Sequence, residues 1–259
     1  MKPFGGLSAG LMLAGPVLAG LMLAGGAAQA ASPDVAAMET NLYGAVSGAY
    51  GGYAAGSFGR GGVSGAYPGL VLGGGVLWPA AGHDDYGAVS YQFGAGELGV
   101  AGGGTDKASF NRVEARLGMG LELASGGEII PYLAFGYQCW NQAVPGGGGA
   151  VYQTALLGGG GKLDLPLGRG VTASVGVEVL ALAGGASRLR GAGGAGGSEA
   201  QGVTPQERVE LGLDAPVAGP VHMLAGAYLD HFTYLGGSYE PFAATTEGGV
   251  DFGLAYSFY

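Results

Sequence analysis

Between positions 112 and 123 the chain alternates without a break. Every odd position is apolar (Val113, Ala115, Leu117, Met119, Leu121, Leu123), and every even position is charged or glycine (Arg112, Glu114, Arg116, Gly118, Gly120, Glu122). Period two is the signature of a β-strand, whose successive side chains point to opposite faces. One face of this strand prefers hydrocarbon and the other prefers water. The pattern recurs at 208–214, at 162–165 and, with aromatics, at 251–258.

Composition narrows the choice further. Sixty of the 259 residues are glycine, and each glycine inside a helix costs about 1 kcal/mol, so a helical protein is excluded. Charged residues are 11%, against about 25% in an ordinary soluble domain. With 48% hydrophobic residues and a mean hydropathy of +0.32, the chain points towards lipid and away from disorder. Glycine does not recur every third residue, which excludes collagen. The net charge of −9 repels a phosphate backbone, so nucleic acid is not an expected partner. Cys139 is the single cysteine and allows neither an internal disulfide nor a multi-cysteine metal site.

The first thirty residues read as an export signal. Lys2 supplies the positive start, 7–25 are uncharged and mostly apolar, and Ala28-Gln29-Ala30 has the small-x-small form that precedes cleavage. Residues 1–30 are thus expected to be a cleaved signal peptide and 31–259 a single mature domain.

Ten strands are expected in that domain, at about 41–54, 66–78, 86–96, 109–123, 128–140, 152–166, 171–183, 207–216, 221–235 and 249–259, with eight or twelve as the alternatives. Short breaks at 125–127, 167–170 and 217–220 suit tight turns. Longer ones at 99–108, 141–150, 184–206 and 236–248 suit loops. Short turns on one side and long loops on the other are the asymmetry of a transmembrane antiparallel up-and-down barrel. Such a sheet has to close, because an unpaired backbone group in hydrocarbon costs several kcal/mol. Pro68 makes the second strand the weakest assignment. Glycines expected on the inward face (Gly118, Gly120, Gly158, Gly160, Gly176, Gly212, Gly253) predict a thinly filled interior.

The export signal, the alternating strands and the ending Gly253-Leu254-Ala255-Tyr256-Ser257-Phe258-Tyr259 resemble the small outer-membrane β-barrel proteins of Gram-negative bacteria, often called porin-family proteins. The resemblance implies a bacterial outer-membrane location, contact with outer-membrane lipid and insertion by the barrel-assembly machinery. That machinery would read Phe252, Leu254, Tyr256, Phe258 and the terminal Tyr259, which falls one place out of the alternation.

The alternation assigns Arg112, Glu114, Arg116, Glu122, Glu128, Lys162, Asp164, Glu178, Arg208, Glu210, Asp214 and Asp251 to the inward face. Acids outnumber bases, which fits either a cation-favouring lumen or a network of ion pairs closing a narrow barrel. The expected function is a structural or porin-like envelope protein, passing small solutes with cation preference and having no enzyme activity. The alternatives are a surface-binding barrel acting through its loops and a membrane-embedded hydrolase. For the latter, His83, His222 and His231 are the candidate bases. Asp230 and His231 point to opposite faces of one strand and cannot pair, and no spacing joins a serine to either His222 or His231. No metal-ligand spacing and no cofactor motif stands out: 94–99 satisfies GxGxxG, but so many glycines produce such matches by chance.

Overall fold

The structure, a computed structural model, describes residues 31–53, 62–80, 82–101, 103–144, 148–190, 198–200, 202–234 and 243–259. The expected export signal lies outside these residues, as do 191–197 and 235–242 of two expected loops. One short helix, α1 (Pro33–Glu39), precedes strands β1 (Asn41–Tyr53), β2 (Val63–Ala80), β3 (His83–Val100), β4 (Thr105–Glu122), β5 (Glu128–Val144), β6 (Gly148–Gly168), β7 (Val171–Arg190), β8 (Ser198–Ala200), β9 (Thr204–Ala218), β10 (Val221–Tyr234) and β11 (Ala243–Ser257). All pairings are antiparallel. Consecutive strands pair around the sheet, β8 is a three-residue addition to β7, and β1 pairs with β11 to close a ring of ten. Among the described residues no helix is long and apolar enough to cross a membrane.

These ten strands are the ten expected from the alternation, including β2. Pro68 sits outward in it. The β1–β2 ladder runs through Pro68, whereas the β2–β3 ladder lapses between Ser64 and Gly69, where the missing N–H would be needed.

The outer wall carries a belt of constant height. At 113–121, 129–137, 209–217, 221–229 and 250–258, all five outward positions of each nine-residue stretch are apolar or proline. Leu117 (54% exposed), Leu133 (69%) and Phe252 (59%) are typical of its exposure. Nine residues at ~3.4 Å each, inclined by about 40°, rise about 22 Å, close to the ~25 Å apolar band of a transmembrane barrel. The upper edge follows the sheet register: Val113 faces Tyr137 and Val209 faces Leu229, while Asn111 faces Cys139 and Glu207 faces His231 just above. Isolated exposed apolar residues are ordinary on a soluble protein, but a continuous belt around a barrel is not.

Above the belt the two faces exchange character. In β4 the outward residues become Lys107, Ser109 and Asn111, and the inward ones become Ala108 and Phe110. Leu98, Phe110, Trp140, Tyr152, Leu180, Leu182 and Phe232 form one buried apolar layer inside the barrel at this level. This inversion explains why most of the break expected over 99–108 is strand: β3 runs to Val100 and β4 starts at Thr105, both continuing upward with their polarity phase reversed. The connections 82, 123–127, 169–170 and 219–220 lie at the opposite end, with the start of β1 and the end of β11.

The interior is not thinly filled, contrary to the expectation from its glycines. Tyrosine rings of neighbouring strands lie across several of the wall's glycines: Tyr132 on Gly160, Tyr67 on Gly94, Tyr228 on Gly249. A β-carbon at any of these positions would meet ring atoms at contact distances side chains do not tolerate, so glycine here makes room for a flattened aromatic.

Candidate functional site

Three arginines and four acids meet inside the barrel at the level of the belt. Arg112, Glu114 and Arg116 project from one face of β4 because they are two residues apart. Opposite them stand Glu178 of β7, Arg208 and Glu210 of β9, and Asp230 of β10, with Arg208 directly facing both Glu178 and Asp230 in the register. Arg116 spans the interior to Glu210 with two hydrogen bonds, Nη1 to Oε2 at 2.9 Å and Nη2 to Oε1 at 3.0 Å. Its Nε donates to Glu114 Oε1 at 2.6 Å, and its Nη2 lies 3.2 Å from Glu178. Arg112 donates from Nε to Glu114 (2.9 Å) and from Nη2 to Glu178 (3.0 Å). Arg208 holds Glu210 at 2.9 Å and Asp230 at 3.5 Å.

Aromatic and amide groups fasten this network to the wall. The Arg116 guanidinium lies 4.9 Å from the Tyr132 ring centroid, and that of Arg208 lies 4.5 Å from Tyr228. The Tyr228 hydroxyl receives a hydrogen bond from Gln92 of β3 (2.8 Å) and donates one to Glu247 of β11 (2.6 Å). Seven side chains of both signs, three from β4 and four from the strands opposite, thus hold one another, all but Glu210 largely withdrawn from water. Removing a single partner from such a set strands a buried charge, at a cost of about 3–5 kcal/mol.

Below the network, and lined by its arginines, lies a cavity of about 240 Å³, bordered also by Tyr43, Gln92, Lys162 and Asp251, with Met38 and Glu39 of α1 under it. Helix α1 touches β2, β6 and β7, so it occupies the interior at the base. It starts where the sequence marks a start: Ser32 caps it by accepting from Val35 N (3.4 Å), and Pro33 takes the first turn. Glu39 at its end pairs with Lys162, which also lies 3.3 Å from Asp164.

Of the residues assigned to the inward face, Arg112, Glu114, Arg116, Glu178, Arg208 and Glu210 come together in the network. Lys162 and Asp164 belong to the base, Glu122 faces Glu128 across the β4–β5 ladder, and Asp251 packs over Gly226 beside the cavity. Asp214 sits apart, its Oδ1 2.6 Å from His222 Nδ1. Asp230, Glu247, Gln92 and α1 were not singled out as part of the site from the sequence. Asp230 shares the inward parity of Arg208 but was weighed only against His231. Ser32-Pro33-Asp34 is a helix start signal that locates α1.

The three histidines have three separate partners. His231 points outward and bonds Thr246 Oγ1 (3.0 Å), and His83, the first residue of β3 rather than part of a connection, bonds Asp85 (3.1 Å). The His222–Asp214 pair was not anticipated, since it joins adjacent strands diagonally. Ser257, on the neighbouring β11, donates its hydroxyl to the Thr40 carbonyl (3.4 Å) and not to this imidazole. Among the described residues no group of three or more His, Cys, Asp or Glu is arranged to hold a metal ion.

No protein-family model matches the chain, and no curated protein does. Solved structures do. The outer-membrane protease OmpT of Escherichia coli is similar at 10% identity and a TM-score of 0.50, over 84% of this chain and 97% of that one. The translocator domain of the autotransporter NalP from Neisseria meningitidis aligns over 96% and 98% at 15% identity with a TM-score of 0.45. The β-domain of the Bordetella autotransporter BrkA aligns over 85% and 100% at 16% identity with a TM-score of 0.45. At such identities the likeness is one of fold and carries no activity with it. Together with the closed ring of ten strands, it gives the chain the fold of the Gram-negative outer-membrane β-barrels.

Proposed function

We propose that the chain is an exported outer-membrane barrel whose interior is sealed at rest, a structural envelope protein and not an open diffusion pore. The observation that carries this reading is the two-point bond from Arg116 to Glu210 across the interior. Apolar side chains lie over it and α1 lies under it. The belt supports contact with outer-membrane lipid, and the outward Phe252, Leu254, Tyr256 and Phe258 with the terminal Tyr259 support recognition by the assembly machinery. No catalytic residue enters the proposal.

Passage of small solutes belongs to a state in which the network has parted. Its acids number four and its arginines three, so a parted network favours cations over anions. Planar-bilayer recording of protein shown to be folded by its heat-dependent gel mobility tests this. Wild type is expected to give no steady current, and Arg116→Ala to give small, cation-selective steps. A large steady wild-type conductance would overturn the sealed interior, and anion selectivity of the variant would overturn the charge argument.

A further inference from the structure

The base of the barrel carries a row of buried acids. Asp84 of β3 faces Gly120 of β4, and the Glu128 carboxyl of β5 lies over that same glycine. Glu128 in turn faces Asp164 of β6. Asp84 is 3% exposed and the other two are fully buried. Lys162 is committed to Glu39 and Asp164, and both oxygens of Glu128 lack a hydrogen-bond partner. One nitrogen reaches into this row from another part of the chain: Ala31 N, buried, donates to Asp84 Oδ2 at 2.8 Å. The same Ala31 follows Ala28-Gln29-Ala30, the small-x-small site at which the export signal is expected to be cut.

We infer that cleavage after Ala30 turns Ala31 N into a buried ammonium that docks on Asp84, making the processed N-terminus the cation of this acidic row and the anchor of α1. An internal Ala31 brings one N–H and no charge. The cleaved residue brings three N–H donors and a positive charge to Asp84 and its neighbour Glu128, whose carboxyl otherwise stays buried without a hydrogen bond. Ser32 begins α1 one residue later, so the docked end fixes where the helix sits under the cavity. This rests on the export reading and adds a role for the cut end.

Amine acetylation tests it with few competing sites, because the mature chain has only two lysines, exposed Lys107 and Lys162 at the base. Protein exported by a Gram-negative host is purified folded, weighed intact and treated with acetyl-N-hydroxysuccinimide at pH 7. A free α-amine, with a pKa near 8, is acetylated well ahead of a lysine near 10.4. A docked one loses part of that lead. The expected result is a mass starting at Ala31, and Ala31 acetylated relative to Lys107 about tenfold or more slowly in the folded protein than in urea, the factor given by one pKa unit of ammonium stabilisation. In folded Asp84→Asn that slowing should be lost.

A mass starting elsewhere would overturn both the cut and the docking. A mass starting at Ala31 with Ala31 acetylated, relative to Lys107, as fast in the folded protein as in urea would overturn the docking and leave export standing. Ala31 as protected in folded Asp84→Asn as in wild type would remove Asp84 as its partner. Should Asp84→Asn not fold, the folded and urea-treated wild type still decide the matter.

Discussion

Arg116 on β4 and Glu210 on β9 grip each other across the barrel interior through two hydrogen bonds of 2.9 and 3.0 Å, between residues 94 positions apart in the chain. A bond of this kind fastens two walls of a ring that backbone pairing alone would leave free to breathe, and it occupies the line along which a solute would pass. Three acids contact Arg116, so its loss leaves Glu114, Glu178 and Glu210 each short of a partner.

Arg116→Ala is expected to lower stability against urea in detergent by about 3–5 kcal/mol, since the buried Glu114 and Glu178, with the half-buried Glu210, would be left with too little positive charge. Replacing Arg116 and Glu210 together by methionine should recover much of that loss. Equal destabilisation by the single and the double variant would argue that the two residues do not act as a pair.

The belt predicts a sharp dependence on height. Leu213→Arg, at its middle, should cost about 2–4 kcal/mol for folding into lipid vesicles, and Glu207→Arg, one outward position above its edge, about 0–1 kcal/mol. Similar costs at both sites would place the lipid boundary elsewhere.

Two glycines should respond in opposite ways. Gly249 carries the Tyr228 ring, so Gly249→Val must displace Tyr228 from Glu247 and Gln92 and should cost about 1–3 kcal/mol. Gly48 faces outward with nothing within 4 Å of an added β-carbon, and Gly48→Ala should be neutral or slightly stabilising. Thermal unfolding followed by the gel-mobility shift compares them.

Much of this architecture can be read from alternation alone. Strand β4 declares its two faces between Arg112 and Leu123, and the inward parity it sets carries over to Glu178, Arg208 and Glu210 once the strands are aligned. What alternation hides is a change of phase. At 105–111 the same strand continues with its apolar residues inward, because the wall has left the lipid and the interior has become the dry side, and a reader tracking one phase sees a loop there. Glycine hides something else. Gly160 looks like empty wall until the Tyr132 ring of the neighbouring strand is placed across it, and that placement depends on register between strands, which no single strand encodes. Contacts such as Arg116 with Glu210 or Ala31 with Asp84 depend on closure of the whole ring, so the inward residues were legible while their partners were not.

If the final strand is read during assembly, Tyr256→Ala combined with Phe258→Ala should reduce the folded protein recovered from outer membranes several-fold while leaving refolding of purified protein in detergent nearly unchanged. Both side chains are outward, exposed and in contact with each other, so little packing inside the barrel is lost. An equal loss in both settings would indicate a folding defect and not a recognition defect.

Ring closure is the claim on which the sealed interior depends, and the seam between the first and last strands tests it most directly. Backbone amide contacts measured by NMR on deuterated protein in detergent micelles should connect β1 with β11 along the register that places Ala45 opposite Gly253 and Ala49 opposite Gly249. Amides of β1 and β11 that exchange rapidly and show no contact with each other, in a sample whose other strands are paired, would describe an open sheet and contradict the account.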